Sequence, residues 1–525
     1  MAMFDLKHAI ALAAALALSA CGGGGGGGGG GMALVQATAP ASTLPASGLG
    51  GAPAEAIVPS TSVAGACAAP RAGSDPDTGT AFADRAGTLA DEKRWVRAWI
   101  DETYLWYDEV PTQLVSDNYA TPVSWFAVLK TAGTTASGRA KDRFHYTVDT
   151  ATYRAQSQAG AGIGYGMEIA YLRSSPPRDL RVAYTEPGSP AVAAGIARGD
   201  RLLEVDGIDV VNGTDTARLN AALAPSAVGQ RHSFRFGQAG GGMLDASLAS
   251  ASIVGTPVRN VKTIDTASGT VGYLQFNEHN GPAEAQLIAA MNGFKSAGVS
   301  DLVLDMRYNG GGLLAIASEL AYMVATPEAT RGTAFERLRF NSKNPFRLTA
   351  AQATVPFYDT ARGYSGIAGQ SLPQLGLSRL TVLTGPDTCS ASESVVNALR
   401  GVGVTVQLVG GTTCGKPYGF YPQDNCGTTY FAIQVQGVNQ QGFGDYDDGF
   451  APTCAVADDF GHALGDPAEA RLAAALGLRS TGACPAAATA KDSAEQQKAE
   501  SAGTPYLRRS PLRENRWIEA AAAPR

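Results

Sequence analysis

The chain has 525 residues, 45% of them hydrophobic, a length that suggests about three domains rather than one small module. Its 41 basic and 47 acidic residues give a formal net charge of −6, without the basic excess of a nucleic-acid-binding protein. We therefore expect no nucleic acid partner.

The first residues have the pattern of an export signal rather than of a folded domain. Lys7 and His8 precede the small or apolar residues 9–20, a stretch too short for an ordinary membrane-spanning helix. The segment ends in Leu-Ser-Ala-Cys at 18–21, which resembles the lipobox of bacterial lipoproteins. This resemblance implies a signal peptide over residues 1–21, lipidation of Cys21, and a protein anchored to a bacterial membrane that faces the periplasm. An ordinary signal peptide with a chance cysteine is the alternative.

The next two segments differ sharply in composition. Residues 22–83 are rich in Gly, Ala, Ser, Pro and Thr, which predicts a disordered stalk without a core of its own. From residue 84 to about 150 a small helical segment is predicted. Its first helix carries apolar residues at helical spacing, namely Trp95, Ala98, Trp99, Ile100 and Leu105.

From about residue 160 to 253 the pattern changes to short strands separated by Gly and Pro. Residues 199–207 read Gly-Asp-Arg-Leu-Leu-Glu-Val-Asp-Gly, a stretch that resembles PDZ domains. The resemblance implies that an extended peptide adds to an exposed sheet edge, while a Gly-rich loop holds its free, apolar carboxyl terminus. The expected loop consists of Gly162, Ile163, Gly164, Tyr165 and Gly166. A plain β-turn is the alternative.

After a linker near 254–262, residues 263–484 have an α/β pattern. Strands are predicted at 270–276, 302–307 and 380–384, and helices at 282–297, at 314–324 and from about Ser390. Strands that enter helices through Gly-rich turns direct backbone N–H groups to one place, where they can stabilise negative charge.

Four motifs in this region occur in a recognisable order. Asp-Met-Arg-Tyr-Asn-Gly-Gly-Gly occupies 305–312, Thr-Cys-Ser-Ala-Ser-Glu 388–393, Gly-Lys 415–416 and Leu-Gly-Asp-Pro 464–467. Together they resemble the carboxyl-terminal processing peptidases, or tail-specific proteases. The resemblance implies an α/β protease core of ClpP/crotonase-like ββα layers, with a PDZ domain inserted in it or preceding it. It also implies a serine endopeptidase that cuts exported proteins selected by their C-terminal tails.

The resemblance assigns roles that match what the chemistry requires. Ser390 would be the nucleophile, and Lys416 the base, which acts only while neutral. Burial must therefore lower the lysine pKa from ~10.4 toward ~7–8. The N–H groups of Ala391 and Gly311 would form the oxyanion hole. The alternatives are a solvated surface lysine and a serine that merely caps a helix with Glu393.

The sequence departs from this family at the positions that often orient the dyad. Phe420 and Gly401 stand where the family often has a glutamine and an acidic residue, and Gln423 is a candidate substitute. Their loss favours an alternative in which the lipoprotein binds C-terminal peptides without cutting them. A second alternative, an acyl-CoA enzyme on a crotonase-like fold, would leave the PDZ domain unexplained.

Cysteine usage fits an exported protein. If Cys21 carries lipid, six cysteines remain, an even number that indicates disulfides but allows fifteen pairings. Cys389 and Cys414 flank the implied dyad, so their pairing would hold nucleophile and base in register; buried thiols or pairing with Cys67, Cys426, Cys454 or Cys484 remain alternatives.

No metal or other cofactor is expected. The five histidines lack metal-ligand spacing, and the acidic turn at 445–449 has Val456 where an EF-hand needs Glu. The tail from 485 to 525 is predicted to be disordered.

Overall fold

The computed structural model describes residues 57–76, 79–485 and 507, and the backbone of residues 516–517. The predicted signal peptide, Cys21 and most of the predicted stalk lie outside these residues. Among those described, no helix has both the length and the apolarity to cross a membrane.

The N-terminal segment is helical, as predicted, but it begins earlier than expected. Residues 57–76 and 79–83 were expected to belong to the stalk, yet they pack against the body of the protein through the Cys67–Cys426 disulfide. A strand, an apolar contact and a covalent link outweigh the disorder-promoting composition there. The elements are α1 (Ser60–Val63), β1 (Ala66–Cys67), β2 (Arg85–Ala86), α2 (Leu89–Thr103), α3 (Pro122–Phe126), β3 (Tyr146–Asp149) and α4 (Thr150–Ala159).

The second unit has the strand and helix order predicted for the PDZ segment. Its main sheet has the order β10-β9-β7-β6-β5, with β8 paired to β7, so β5 lies at an edge. Arg198 of this unit contacts the core through Asp458 (2.9 Å) and the hydroxyl of Tyr308 (2.8 Å). The elements are β4 (Ala161–Gly164), β5 (Met167–Arg173), β6 (Asp179–Thr185), α5 (Pro190–Ala193), β7 (Arg201–Val205), β8 (Ile208–Asp209), α6 (Thr216–Leu223), β9 (Arg231–Gly237), β10 (Met243–Ala249) and β11 (Ala251–Val254).

The third unit is the predicted α/β core. Its central sheet has the order β12-β13-β14-β18-β19-β24 and is parallel from β13 to β24. The expected linker at 254–262 is wrong, because β12 already pairs with β13 from Val258 onward. The first elements are β12 (Val258–Thr266), β13 (Gly269–Phe276), α7 (Ala283–Ser296), β14 (Asp301–Asp305), β15 (Gly312–Leu313), α8 (Leu314–Val324), α9 (Pro327–Thr330), β16 (Ala334–Phe340) and β17 (Thr354–Pro356).

The second half of the core completes the sheet and adds two smaller ones. The orders of these are β17-β16-β23-β20 and β21-β22-β3, the latter including a strand of the N-terminal segment. The elements are β18 (Arg379–Thr384), α10 (Ala391–Gly401), β19 (Thr405–Gly410), β20 (Tyr418–Gly419), β21 (Gln423–Asn425), β22 (Thr428–Phe431), β23 (Val435–Val438), β24 (Cys454–Ala455), α11 (Ala470–Thr481) and β25 (Arg516–Trp517).

The predicted arrangement of an α/β core with a PDZ domain and an N-terminal helical segment is thus confirmed. In parallel sheets the strand ends meet at one edge, and β14 and β18 lie side by side. The loops after these two strands carry the motifs of 305–312 and 388–393.

Candidate active site

Ser390 lies at the turn between β18 and α10, directly before the first residue of the helix. Its backbone has φ +62° and ψ −115°, a conformation that costs an L-residue of order 1–3 kcal/mol. Its Oγ is buried and has no hydrogen-bond partner among the described residues. The fold therefore holds Ser390 in a strained backbone conformation at the N-terminus of a buried helix, with a hydroxyl that makes no hydrogen bond to the described residues.

The disulfide predicted beside this serine is present. Cys389 and Cys414 are bonded, with their Cα atoms 5.1 Å apart. The bond links the residue before Ser390 to the loop that leads into Lys416. The other two pairs are Cys67–Cys426 and Cys454–Cys484.

The carboxylate of Glu393 makes a second link between the same two segments. One oxygen accepts hydrogen bonds from the backbone N–H groups of Ser390 (2.9 Å) and Lys416 (2.8 Å). The other accepts from Gly415 N–H (2.8 Å) and Thr413 Oγ1 (2.5 Å). The sequence indicated Glu393 only as a helix cap, because Ser-x-x-Glu is a capping pattern. Its contacts with the lysine loop depend on the fold.

Complete burial raises the pKa of Glu393, while its four hydrogen-bond donors act in the opposite direction. Burying a carboxylate costs free energy unless hydrogen-bond donors surround it, and four donors surround that of Glu393. One of its oxygen atoms holds the backbone N–H groups of both Ser390 and Lys416.

Lys416 is fully buried, which excludes the alternative of a solvated surface lysine. Its Nζ lies 4.1 Å from the centre of the Phe420 ring and 4.7 Å from that of Phe144. Phe420, which replaces a polar residue of the resembled family, therefore forms part of the wall around the amine. The amine of Lys416 is thus enclosed by aromatic rings of two separate segments.

The N-terminal segment contributes to this pocket, which the sequence did not indicate. Besides Phe144, the guanidinium of Arg143 donates to the carbonyl oxygens of Cys414 (2.5 Å) and Gly415 (3.2 Å). Since more than 270 residues of sequence separate these partners, no local pattern could reveal the contact.

The glycine loop after β14 holds the predicted oxyanion donor Gly311. Its N–H donates to Asn309 Oδ1 (2.9 Å), so its role as an oxyanion donor stays a prediction. Asn309 Oδ1 also accepts from Nδ1 of His279 (3.1 Å). Burial lowers the pKa of His279 to about 3, which keeps the ring neutral. Ala391 remains a donor candidate, since it is the first residue of α10.

The loop is anchored by a buried cation at its start. Arg307 pairs with Asp305 (2.9 Å), Asp458 (2.8 Å) and Glu469 (2.7 Å), and these carboxylates raise the pKa of its guanidinium against the effect of burial. The Asp-Met-Arg part of the motif is therefore scaffolding that fixes where the glycine loop leaves β14.

The proposed carboxylate-binding loop is not one continuous loop. Gly162, Ile163 and Gly164 belong to β4, which pairs antiparallel with β11, so part of their backbone is committed to that pairing. Tyr165 is buried and its hydroxyl donates to Ala222 O (3.0 Å). Gly166 has φ +74°, and a Cβ there would collide with Ser189. Tyr165 and Gly166 alone form the turn that enters the edge strand β5.

The sequence candidates for an orienting side chain do not fill that role. Gln423 is exposed and its Nε2 donates to Asp424 O, away from the buried pocket. At Gly401 a Cβ would lie 2.8 Å from Cβ of Asn439, so no acidic side chain fits there. Among the residues described, the serine segment and the lysine segment are joined by the disulfide, by Glu393 and by a hydrogen bond from Cys414 N–H to Thr388 O (3.0 Å).

The acidic turn at 445–449 has protein partners. Asp448 accepts hydrogen bonds from Thr135 Oγ1 (2.7 Å) and from the backbone of Ser137 (3.0 Å), which satisfies its carboxylate.

Comparison with known sequences identifies the three units. Residues 270–441 match Peptidase family S41, residues 91–146 match the Peptidase S41 N-terminal domain, and residues 181–236 match a PDZ domain. These matched ranges fall in the α/β core, the N-terminal segment and the second unit, respectively.

Relatives of known description agree with this. The chain is 30% identical over 279 residues to a carboxyl-terminal-processing protease of Picosynechococcus, an alignment that covers 50% of this chain and 56% of the relative. It is 28% identical over 182 residues to a chloroplastic C-terminal processing peptidase of Tetradesmus obliquus, covering 32% and 38%. The chain thus spans about half, or less, of the length of these curated relatives.

A solved structure shares the fold. The chain resembles the crystal structure of a protein described as an S41 protease from Bacteroides fragilis, with a TM-score of 0.57 and 24% identity, over 74% of this chain and 97% of the other. At this identity the match shows a shared fold and nothing about activity.

Proposed function

We propose that this protein is a serine endopeptidase that cuts exported proteins after its PDZ domain has captured their C-terminal tails. The observation that carries the proposal is the site around Ser390: a strained serine with a free hydroxyl, joined by a disulfide and by Glu393 to the segment of a buried lysine. Such construction serves a nucleophile and its base.

In the proposed mechanism neutral Lys416 accepts the proton of Ser390 Oγ as the oxygen attacks the scissile carbonyl. The Ala391 N–H stabilises the resulting oxyanion, and the Gly311 N–H joins it if substrate displaces the Asn309 side chain. The lysine then gives the proton to the departing amine. A water molecule, deprotonated by the same lysine, hydrolyses the acyl-enzyme.

The PDZ domain would recognise substrates at the free edge of β5. That strand ends the sheet, and apolar residues of β5 and α6, including Ile169 and Leu219, form one buried cluster beside it. An extended peptide can add to such an edge and place an apolar terminal side chain near the Tyr165–Gly166 turn.

The test uses a soluble protein with an apolar C-terminal tail, incubated with the full chain. We expect cleavage by the wild type and a loss of several orders of magnitude in kcat/KM for Ser390→Ala. Ser392→Ala, two positions away on the same turn, is the matched control and should retain activity. An amidated tail should bind about ten- to a hundredfold more weakly, since a charge-assisted contact is lost.

Uncut substrate that still binds through a free tail would instead support the non-catalytic peptide binder. Equal cleavage by Ser390→Ala would refute the assigned nucleophile.

The membrane anchor belongs to the same proposal. Export and lipidation of Cys21 would place the peptidase at a bacterial membrane facing the periplasm. Mature protein should then partition into detergent with a mass above that of the processed chain, whereas Cys21→Ser should stay unprocessed or become soluble. Unmodified wild type in the soluble periplasmic fraction would contradict the anchor.

A further inference from the structure

The C-terminal tail of this chain contacts the cleft beside the proposed active site. Arg516 and Trp517 form β25, which pairs in parallel with Gly312 and Leu313 of β15. These glycine-loop residues follow Gly311 directly. The backbone of β25 also lies next to β20, which begins two residues after Lys416. Arg516 and Trp517 therefore lie beside both the glycine loop and the strand that follows Lys416.

The same tail also contacts the PDZ domain. The side chain of Leu507 is 1% exposed and belongs to the apolar cluster of that domain, with Ile169 of β5 and Leu219 of α6. Its backbone N–H donates to the carbonyl of Ser174 (3.1 Å), the residue that follows β5 directly. The predicted disorder of 485–525 is wrong at Leu507 and at 516–517; the other residues after 485 lie outside the described part.

Both contacts are of the kind that a peptide ligand makes. Backbone pairing at a strand and an apolar side chain in a hydrophobic cluster are the two components of peptide recognition by strand addition. The tail pairs its backbone with β15 and places Leu507 in the apolar cluster of the PDZ domain. It therefore occupies surfaces that a peptide substrate would need.

The direction of the chain distinguishes an inhibitor from a substrate. A substrate whose carboxyl terminus sits in the PDZ domain must be cut at a bond that precedes the PDZ-bound residues in sequence. In the tail the order is reversed, because Leu507 at the PDZ domain precedes Arg516 and Trp517 at the cleft. Leu507 and residues 516–517 thus contact the two surfaces in the opposite order to that of a C-terminal substrate.

We propose that the segment after residue 485 is an intramolecular ligand that competes with substrates for the PDZ groove and the active-site cleft. Inhibition of cleavage by the tail rests on the proposed peptidase function, but binding of the tail to the two surfaces does not. A tethered ligand acts at an effective concentration in the millimolar range, so weak contacts are enough to compete.

The first experiment replaces residues 486–525 of the full chain with a Gly-Ser sequence of equal length, which keeps Cys484 and all three disulfides. We expect KM for a tail-bearing substrate to fall about threefold to tenfold, with kcat little changed, because competition is removed. An unchanged KM would overturn the proposal.

A point substitution provides the matched comparison. Leu507→Asp places a charge in the apolar cluster and should lower KM in the same direction, whereas Val228→Asp adds the same charge at a PDZ residue that is 61% exposed and should not. Equal effects of the two substitutions would contradict docking of Leu507.

The second experiment measures binding without activity. A synthetic peptide of residues 486–525 is titrated, by fluorescence anisotropy, into the Gly-Ser-tailed chain that also carries Ser390→Ala. Saturable binding that an excess of substrate tail peptide reverses supports the docking even if no protease activity is found. If the wild-type chain cleaves substrate but the peptide does not bind this variant, the docking of the tail is refuted and the proposed peptidase function is not. Cleavage of the tail between 507 and 517 by the wild type, absent in Ser390→Ala, would show a substrate rather than a competitor.

Discussion

Removal of the Cys389–Cys414 disulfide should reduce activity far more than its effect on stability can explain. The bond closes a loop with a sequence separation of 25 residues, which corresponds to about 3.5 kcal/mol of stabilisation by the chain-entropy relation. The chain contains a matched control, because Cys454–Cys484 has a separation of 30 and a nearly equal expected value, about 3.6 kcal/mol. Only the first bond joins the serine and lysine segments.

The assay compares two double variants, Cys389→Ala with Cys414→Ala and Cys454→Ala with Cys484→Ala. Denaturant unfolding should show similar losses of stability in both. At a temperature where both are folded, kcat/KM should fall about 10²-fold in the first, since a displacement of about 1 Å in a catalytic group has that effect. The second should keep most of its activity. Equal losses in the two variants, or full activity in the first, would refute the idea that the disulfide positions the dyad.

Three further predictions follow from the buried polar contacts. Glu393→Gln introduces an amide donor among four donors, so both activity and the free energy of unfolding should fall, the latter by about 2–4 kcal/mol in denaturant titrations; an active, equally stable variant would contradict the assigned role of the carboxylate. Arg143→Ala should lower kcat with little change in overall unfolding, because the carbonyls of Cys414 and Gly415 lose the Arg143 donor and only the longer bond from Arg139 to Cys414 O (3.3 Å) stays; the exposed Arg173→Ala is its control, and equal kcat values in the two would count against it. Burial and Glu284 raise the pKa of Glu319 to about 8, so its contribution to stability is complete below about pH 4.5 and is lost as the pH rises to about 8. Glu319→Gln should weaken the dependence of the melting temperature on pH across this range. The same dependence in the variant and the wild type would contradict the raised pKa.

The local motifs were sufficient to find the parts of the site that lie close together in sequence. Ser390 at a helix start and Lys416 in an uncharged stretch follow from short patterns whose structural meaning is local. Burial of the lysine was expected for the same reason. The pairing of Cys389 with Cys414 was one of several open alternatives and depended on the implied dyad.

Contacts between distant segments were beyond these patterns. The stalk prediction failed after residue 57 because Cys67 bonds to Cys426, 359 residues away, which composition cannot show. The sequence also did not indicate that a neighbouring side chain, Asn309, accepts a hydrogen bond from the N–H of Gly311, the predicted oxyanion donor. Phe144 and Arg143 reach the lysine loop only in the folded chain.

Capture of the nucleophile tests the central claim most directly. The protein is incubated with a peptide that carries an electrophilic β-lactone, which opens on attack by a serine hydroxyl and leaves the whole probe as an ester. Digestion and mass spectrometry should place the added mass on Ser390 in the wild type and in Ser392→Ala, and should show strongly reduced labelling in Lys416→Met. An adduct at another residue, or equal labelling of Ser390 with and without Lys416, would contradict a nucleophile activated by that lysine.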